Sequence, residues 1–209
     1  MHKLNVLIAG STGYIGVQLI KLLIKHKNIH IRYLCGNNSA GKKISFYDNS
    51  LRFKKLPKII RYNKKYLKNV DIIFTALPNG EAQKISKDLE KKNTLIDLAA
   101  DFRLKKISDY KKWYKQKHKA KYNIKKSIYA LPEIVGKKVK DYNIIGCPGC
   151  YPTSILLPLI PLLKNKAINP KNIIIDSKSG YSGAGRGVMK KHKEKNLFES
   201  LSAYGVGFH

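Results

Sequence analysis

Acidic side chains are scarce in this chain: 13 Asp and Glu stand against 42 Lys and Arg, a formal charge of +29 over 209 residues. Such an excess ordinarily points to nucleic acid, because clustered cations gain affinity by displacing counterions from phosphates. Arginine is scarce as well. It occurs at Arg32, Arg52, Arg61, Arg103 and Arg186, and lysine spread along the whole chain supplies the rest of the charge. Bidentate recognition of bases or phosphates needs guanidinium forks gathered on one surface. No specific nucleic-acid partner is therefore expected, with nonspecific polyanion binding only a side effect. Cysteine is rare too: Cys35, Cys147 and Cys150 are too few for a disulfide framework. The single C-x-x-C has no second pair or H-x-x-x-H to complete a zinc site, and no metal is expected. No apolar run approaches the roughly 20 residues that span a bilayer. The start MHKLNVLIAG also lacks the apolar core and small-residue cleavage site of a signal peptide. The expected location is the cytoplasm, with no membrane partner.

What the chain does have is apolar residues from end to end, 43% of the total, which excludes a disordered tail and favours a globular fold. The apolar run 4–9 leads through Gly10-Ser11-Thr12-Gly13-Tyr14-Ile15-Gly16 into the helical spacing of Val17, Ile20 and Leu23. Residues 29–34, 70–76, 94–98 and 143–146 read as further strands. Residues 80–92 and 151–163 read as helices, the second with Pro152 in its first turn. The lysine-rich segment 105–126 reads as an outer helix and loop without identifiable chemistry, and 173–177 as one more strand. Strands alternating with helices imply a parallel sheet with right-handed crossovers. The expected fold is therefore α/β: a doubly wound dinucleotide-binding domain over residues 1–148, then the beginning of an α+β catalytic or dimerisation domain over 149–209.

Three glycines between a strand and a helix either admit a pyrophosphate to the helix N-terminus or serve tight strand–helix packing. Their spacing is G-x-x-G-x-x-G, not the strict dinucleotide fingerprint. After the second strand, where an acidic residue would take the ribose hydroxyls of NAD, the chain runs Cys35-Gly-Asn-Asn-Ser-Ala-Gly-Lys42. Neutral groups and Lys42 favour the phosphate of NADP. Cys150 stands where a strand gives way to a helix, and there backbone N–H groups stabilise a thiolate; it is a nucleophile or a buried structural cysteine. Cys147 shares that role or pairs with Cys150. Arg103 beyond a strand end clamps an anion or forms a surface ion pair with Asp101. The run Ser179 to Arg186 is so rich in glycine that it reads as close backbone approach to a ligand, or as a plain loop. His209 is an acid/base candidate or a chain end.

Taken together, GSTGYIG, LIDLAADFR, ALPE, GCPGCYPTS and SGYSGAGR closely resemble the N-acetyl-gamma-glutamyl-phosphate reductase family. GCPGCYPT is the most specific motif, whereas GSTGYIG is shared with aspartate-semialdehyde dehydrogenases. The resemblance implies NADPH-dependent reduction of N-acetylglutamyl 5-phosphate to the semialdehyde in arginine biosynthesis, through a thioester on Cys150 with phosphate release. It assigns cofactor binding to Gly10, Ser11, Thr12, Gly13, Tyr14, Ile15, Gly16, Asn37, Ser39, Lys42, Pro78, Ser182 and Gly183. Substrate binding is expected at Arg103, Ser179 and Gly180, and the resemblance assigns acid/base work to His209. Two positions depart from the family: Cys147 stands where relatives commonly have Asn, and Asn79-Gly80 where they often have His-Gly. Family members are also longer, so this chain is expected to be truncated at its C-terminus, as a fragment or a decayed reading frame, and the full-length protein to be a homo-oligomer. The alternatives are an aspartate-semialdehyde dehydrogenase-like reductase and an inactive NADP- or polyanion-binding remnant.

Overall fold

The computed structural model describes residues 3–187 and begins with β1 (Leu4–Ala9), α1 (Tyr14–Leu23) and β2 (Ile29–Cys35). β1 alternates strictly. Val6 and Ile8 pack on one face with Val17 and Ile20 of α1, whereas Leu7 and Ala9 face the other side with Ile73, Leu95 and Ile144. A period of two thus builds two separate cores, one on each face of the sheet, as a doubly wound architecture requires.

The chain continues through β3 (Ile59–Ile60), β4 (Ile72–Thr75), α2 (Glu81–Ser86), β5 (Thr94–Asp97) and α3 (Ile107–Tyr114). It goes on through α4 (Lys121–Ile124), β6 (Ser127–Tyr129), α5 (Pro132–Val135), β7 (Ile144–Gly146) and α6 (Cys150–Lys164). The strands form one sheet in the order β3-β2-β1-β4-β5-β7-β6, with every pair parallel. Strand order reverses between β1 and β4, and a crevice at the C-terminal edge of such a switch point is where open α/β sheets take ligands.

The loops at that edge are fastened to each other. Ala76 N–H donates to the Ala9 carbonyl at 2.8 Å, Leu98 N–H to Thr75 at 2.9 Å and Cys147 N–H to Asp97 at 2.8 Å. Each strand's exit is therefore bonded to its neighbour's last carbonyl, and the turns after β1, β4, β5 and β7 leave the sheet side by side.

Two expectations are corrected, and two short strands go unread. The helix read over 80–92 ends at Ser86, because Asn93 is buried, accepts from the Glu90 N–H and donates to the carbonyls of Leu67 and Val70. The strand read over 173–177 does not form: none of the described strands pairs with it, and Ile174 is 92% exposed. The edge strands β3 and β6, of two and three residues, carry too little periodicity to be read from sequence.

Gly10 has φ +85°, and a Cβ there would lie 2.1 Å from the Ala76 carbonyl oxygen. Gly10→Ala is expected to lower the unfolding free energy by more than about 2 kcal/mol in urea titrations. Gly13→Ala, whose Cβ would meet only the Gly10 carbonyl at 3.6 Å, should stay within about 1 kcal/mol of wild type.

Candidate active site at the C-terminal edge of the sheet

Two sites line this edge. The first is the glycine turn after β1. A Cβ at Gly16 would come within 2.2 Å of the Gly10 carbonyl oxygen, so Gly10 and Gly16 are fixed by the turn itself, whereas Gly13 is not. Gly13 is the N-cap of α1, makes no side-chain cap, and the first turn holds no acidic residue. The orphan N–H groups and positive end of the helix are thereby left for an anion. Ser11 is not part of that surface: it is buried, and both its N–H and its hydroxyl donate to the Cys35 carbonyl at 3.1 Å. It ties the turn to β2. Thr12 and Tyr14 are half-buried beside it, Ile15 is exposed, and Pro78 is exposed in the neighbouring loop after β4.

Beyond β2, Asn37 and Lys42 are exposed, while Ser39 is tucked under Gly36, where an added Cβ would lie 2.4 Å from its hydroxyl. Lys42 opens onto a surface cavity of about 370 Å³ with Lys43, Ser45, Phe46, Asn49 and Arg52. Three cations and no carboxylate line it, which suits a phosphate. Arg52 escaped sequence reasoning, since it lies ten residues from Lys42 and shares no motif with it. A second cavity, about 700 Å³ between Lys87 and residues 117–123, holds none of the candidate residues.

The second site is the start of α6. Cys150 is its first residue and is exposed; Gly149 is the N-cap, with no side-chain cap and no acidic residue in the first turn. Its Sγ lies 4.0 Å from the Ser179 hydroxyl. Cys147 differs. Burial, reinforced by the nearby Asp97 carboxylate, pushes its thiol up to about 11, so it stays protonated at neutral pH. The thiol exposed to the crevice is that of Cys150.

Arg103 makes no ion pair with Asp101. Its Nε donates to the Cys147 carbonyl at 2.8 Å and its Nη2 to Leu98 at 3.3 Å, while Nη1 would lie 3.4 Å from a Cβ on Gly149. The guanidinium is thus held by backbone against the loop that carries Cys150. This needs the turn after β5 to cross close over β7, and a Cβ at Gly146 would sit 2.5 Å from the Phe102 carbonyl oxygen. Beneath, the buried Asp101 carboxylate accepts from Gly80 N–H at 2.7 Å, Gln83 Nε2 at 2.8 Å and the Tyr110 hydroxyl at 2.6 Å. His118 Nδ1 accepts from the Ala120 N–H, so its Nε2 donates to the Asp101 carbonyl at 2.9 Å, and burial favours the neutral ring. The segment 105–126, read as free of chemistry, therefore supplies two buried supports for this turn. Nothing in its lysine-rich composition distinguishes Tyr110 and His118 from surface residues.

Residues Tyr181–Ala184 form a 3₁₀ turn in which Gly183 packs on Ser179, an added Cβ falling 2.8 Å from its hydroxyl. Gly180 is the N-cap of that turn and Ser182 is exposed. Ser179 thus joins Cys150, and Arg186 reaches the glycine turn, its Cζ 4.4 Å from the centre of the Tyr14 ring. His209 lies outside the described residues. Among the described residues there is no group of three potential metal ligands, and no helix is long and apolar enough to cross a membrane.

A doubly wound parallel sheet with a glycine turn into an uncapped helix at its switch point defines the Rossmann class of dinucleotide-binding folds. The family profile "Semialdehyde dehydrogenase, NAD binding domain" matches residues 5–142 and "Semialdehyde dehydrogenase, dimerisation domain" matches 150–209; the chain belongs to the semialdehyde dehydrogenase family and carries its NAD(P)-binding domain. It is 40% identical to a probable chloroplastic N-acetyl-gamma-glutamyl-phosphate reductase of Arabidopsis thaliana, over 97% of this chain and 50% of that one. It is 43% identical to an N-acetyl-gamma-glutamyl-phosphate reductase of Clostridium novyi, over 99% of this chain and 61% of that one. The chain thus spans about half to three-fifths of the length of these relatives. In fold it is similar to aspartate semialdehyde dehydrogenase II of Vibrio cholerae, with a TM-score of 0.64 and 19% identity over 97% of this chain and 58% of that one.

Asp97 gives a pH test of the turn. Its fully buried carboxyl accepts from the Thr75 hydroxyl at 2.8 Å and from the N–H groups of Ala99 and Asp101; burial nevertheless pushes it up from 3.8 to about 6. An acid with a raised native value holds its proton more tightly when folded. The resulting stability is complete below pH 3.8 and is lost as pH rises through about 6. The unfolding free energy of wild type relative to Asp97→Asn is expected to fall by roughly 2 kcal/mol between pH 4 and pH 7, then level off, in urea titrations. A difference that does not change with pH would contradict this environment.

Proposed function

We propose that this chain is the cofactor- and nucleophile-bearing part of an NADPH-dependent reductase that converts N-acetyl-L-glutamyl 5-phosphate to the 5-semialdehyde, with phosphate release, in arginine biosynthesis. The observation that carries the reading is the exposed Cys150 thiol at the uncapped start of α6, on the same sheet edge as the glycine turn. Relatives of that name at about 40% identity across nearly the whole chain support the substrate. The division at residue 148, a cytoplasmic location and a homo-oligomer belong to the same reading, the last supported by the dimerisation profile over 150–209.

The residues fit a nicotinamide dinucleotide. The cradle above Gly13 is free of described protein atoms that a Cβ would strike, apart from ordinary contact with the Gly10 carbonyl, and no carboxylate stands between the end of β2 and Lys42 to oppose a 2′-phosphate there. Bound NADPH supplies the hydride. The Cys150 thiolate attacks the acyl carbon; a carbon–sulfur bond forms, the carbon–oxygen bond to phosphate breaks, and inorganic phosphate leaves with the electron pair. The thioester so formed accepts hydride more readily than a carboxylate would, which divides one difficult reduction into two easier steps. After hydride addition the carbon–sulfur bond breaks, releasing aldehyde and returning the electron pair to Cys150. Arg103, held by the Cys147 and Leu98 carbonyls beside Gly149, places a fixed cation where the phosphate or oxyanion gathers charge.

The reverse reaction provides the assay: phosphate-dependent reduction of NADP by N-acetylglutamate 5-semialdehyde. Cys150→Ser is expected to reduce the rate by about three orders of magnitude or more with NADPH binding retained. Faster turnover of aspartate semialdehyde would reassign the substrate. Lys42→Ala is expected to weaken NADPH by about tenfold relative to NADH in fluorescence titration, and equal losses for both would remove Lys42 from the 2′-phosphate.

A further inference from the structure

We infer that Arg186 is a cofactor-binding residue whose guanidinium closes over the start of α1 and takes a pyrophosphate oxygen of the dinucleotide. The inference rests on the reading that the glycine turn holds such a cofactor, and it adds a contact from outside the NAD-binding domain. Tyr14, over which Arg186 stacks at 4.4 Å, is the first residue of α1, so the cation stands at the end of the helix left without a cap or an acidic residue. Stacking orients a guanidinium without using its N–H donors, and the five donors remain for an acceptor. The Arg186 Nε is buried without a hydrogen-bond partner among the described residues, and Arg186 belongs to none of their three ion pairs. A buried charged donor lacking an acceptor is costly, and a bound phosphate oxygen supplies one.

The surroundings leave room for this. A Cβ on Gly185 or Gly187, the neighbours of Arg186, would meet no described atom within 4 Å. The choice of phosphate follows from position: the cations suited to the 2′-phosphate, Lys42, Lys43 and Arg52, line a separate cavity beyond β2, whereas Arg186 sits on the helix that the glycine turn opens. The same loop carries Ser179, 4.0 Å from the Cys150 Sγ. One stretch of chain therefore touches both the cofactor cradle and the nucleophile, and cofactor binding through Arg186 fixes the loop beside the reacting thiol.

The test titrates NADPH and NADH, followed by nicotinamide fluorescence, into the wild-type chain, Arg186→Gln and Arg186→Lys, with circular dichroism to verify the fold of each. Arg186→Gln is expected to weaken both cofactors equally, by roughly 10- to 100-fold, because both carry the pyrophosphate. Arg186→Lys should recover part of the loss. Wild-type binding with both variants within twofold of it would overturn the inference alone. A loss confined to NADPH would overturn it by moving the contact to the 2′-phosphate. Failure of the folded wild type to bind either cofactor would overturn the dinucleotide reading together with this one.

Discussion

The site depends on the crossing of two backbones at Gly146. The turn that follows β5 passes so close to the last residue of β7 that a methyl group there would overlap the Phe102 carbonyl. That proximity brings Arg103 under the Cys147–Gly149 loop, where its Nε grips the Cys147 carbonyl, and so joins this guanidinium to the helix that begins with Cys150. The hydrogen bond from Cys147 N–H to the Asp97 carbonyl fixes the same crossing from the other side. Cys150 is thereby placed by rigid sheet geometry even though it is itself exposed.

Beneath the crossing lies a layer of polar groups that is almost entirely satisfied. Asp97 and Asp101 are both fully buried, yet their oxygens accept from Thr75, Gly80, Gln83, Tyr110 and local N–H groups. Such a network is worth its desolvation only when complete, because a single missing donor leaves a buried carboxylate exposed to a low-dielectric surrounding. The lysine excess has no part in it. Where the fold needs negative charge it buries carboxylates against hydroxyl, amide and backbone donors, and the described ion pairs are confined to Lys21–Asp48, Lys84–Glu81 and Lys178–Asp176 nearer the surface.

What could be read beforehand was local. The apolar run 4–9 and the glycines before the helical spacing of Val17, Ile20 and Leu23 identify β1, the turn and α1, because such signals act within a few residues. Cys150 was legible for the same reason, as a cysteine at a strand-to-helix boundary. Long-range neighbours were not. Ser11 looks like a ligand-facing hydroxyl in its motif but is turned into the fold by Cys35, 24 residues away. Arg103 stands two residues after Asp101, within reach of an ion pair in sequence, yet Asp101 is taken by Gly80, Gln83 and Tyr110, which leaves the arginine for backbone carbonyls. Residues 173–177 are apolar enough for a strand, but a strand exists only where another offers its edge, and none of the described strands does.

Both helices that open toward the crevice, α1 and α6, begin with a glycine N-cap and carry no acid in their first turn. At an ordinary surface helix this would be a missed stabilisation, since an N-cap side chain contributes about 1 kcal/mol. At two helices opening on one sheet edge, the omission leaves both positive ends available. A side-chain cap would occupy the N–H groups that a phosphate or thiolate would otherwise engage, and an acidic first turn would repel either anion. The chain's shortage of carboxylates, which looks like a global bias in composition, therefore coincides here with a local requirement. Among the described residues the helix starts are free of acidic side chains in their first turns, and the arginines that approach them, Arg103 and Arg186, are positioned by backbone carbonyls and an aromatic ring and belong to none of the described ion pairs.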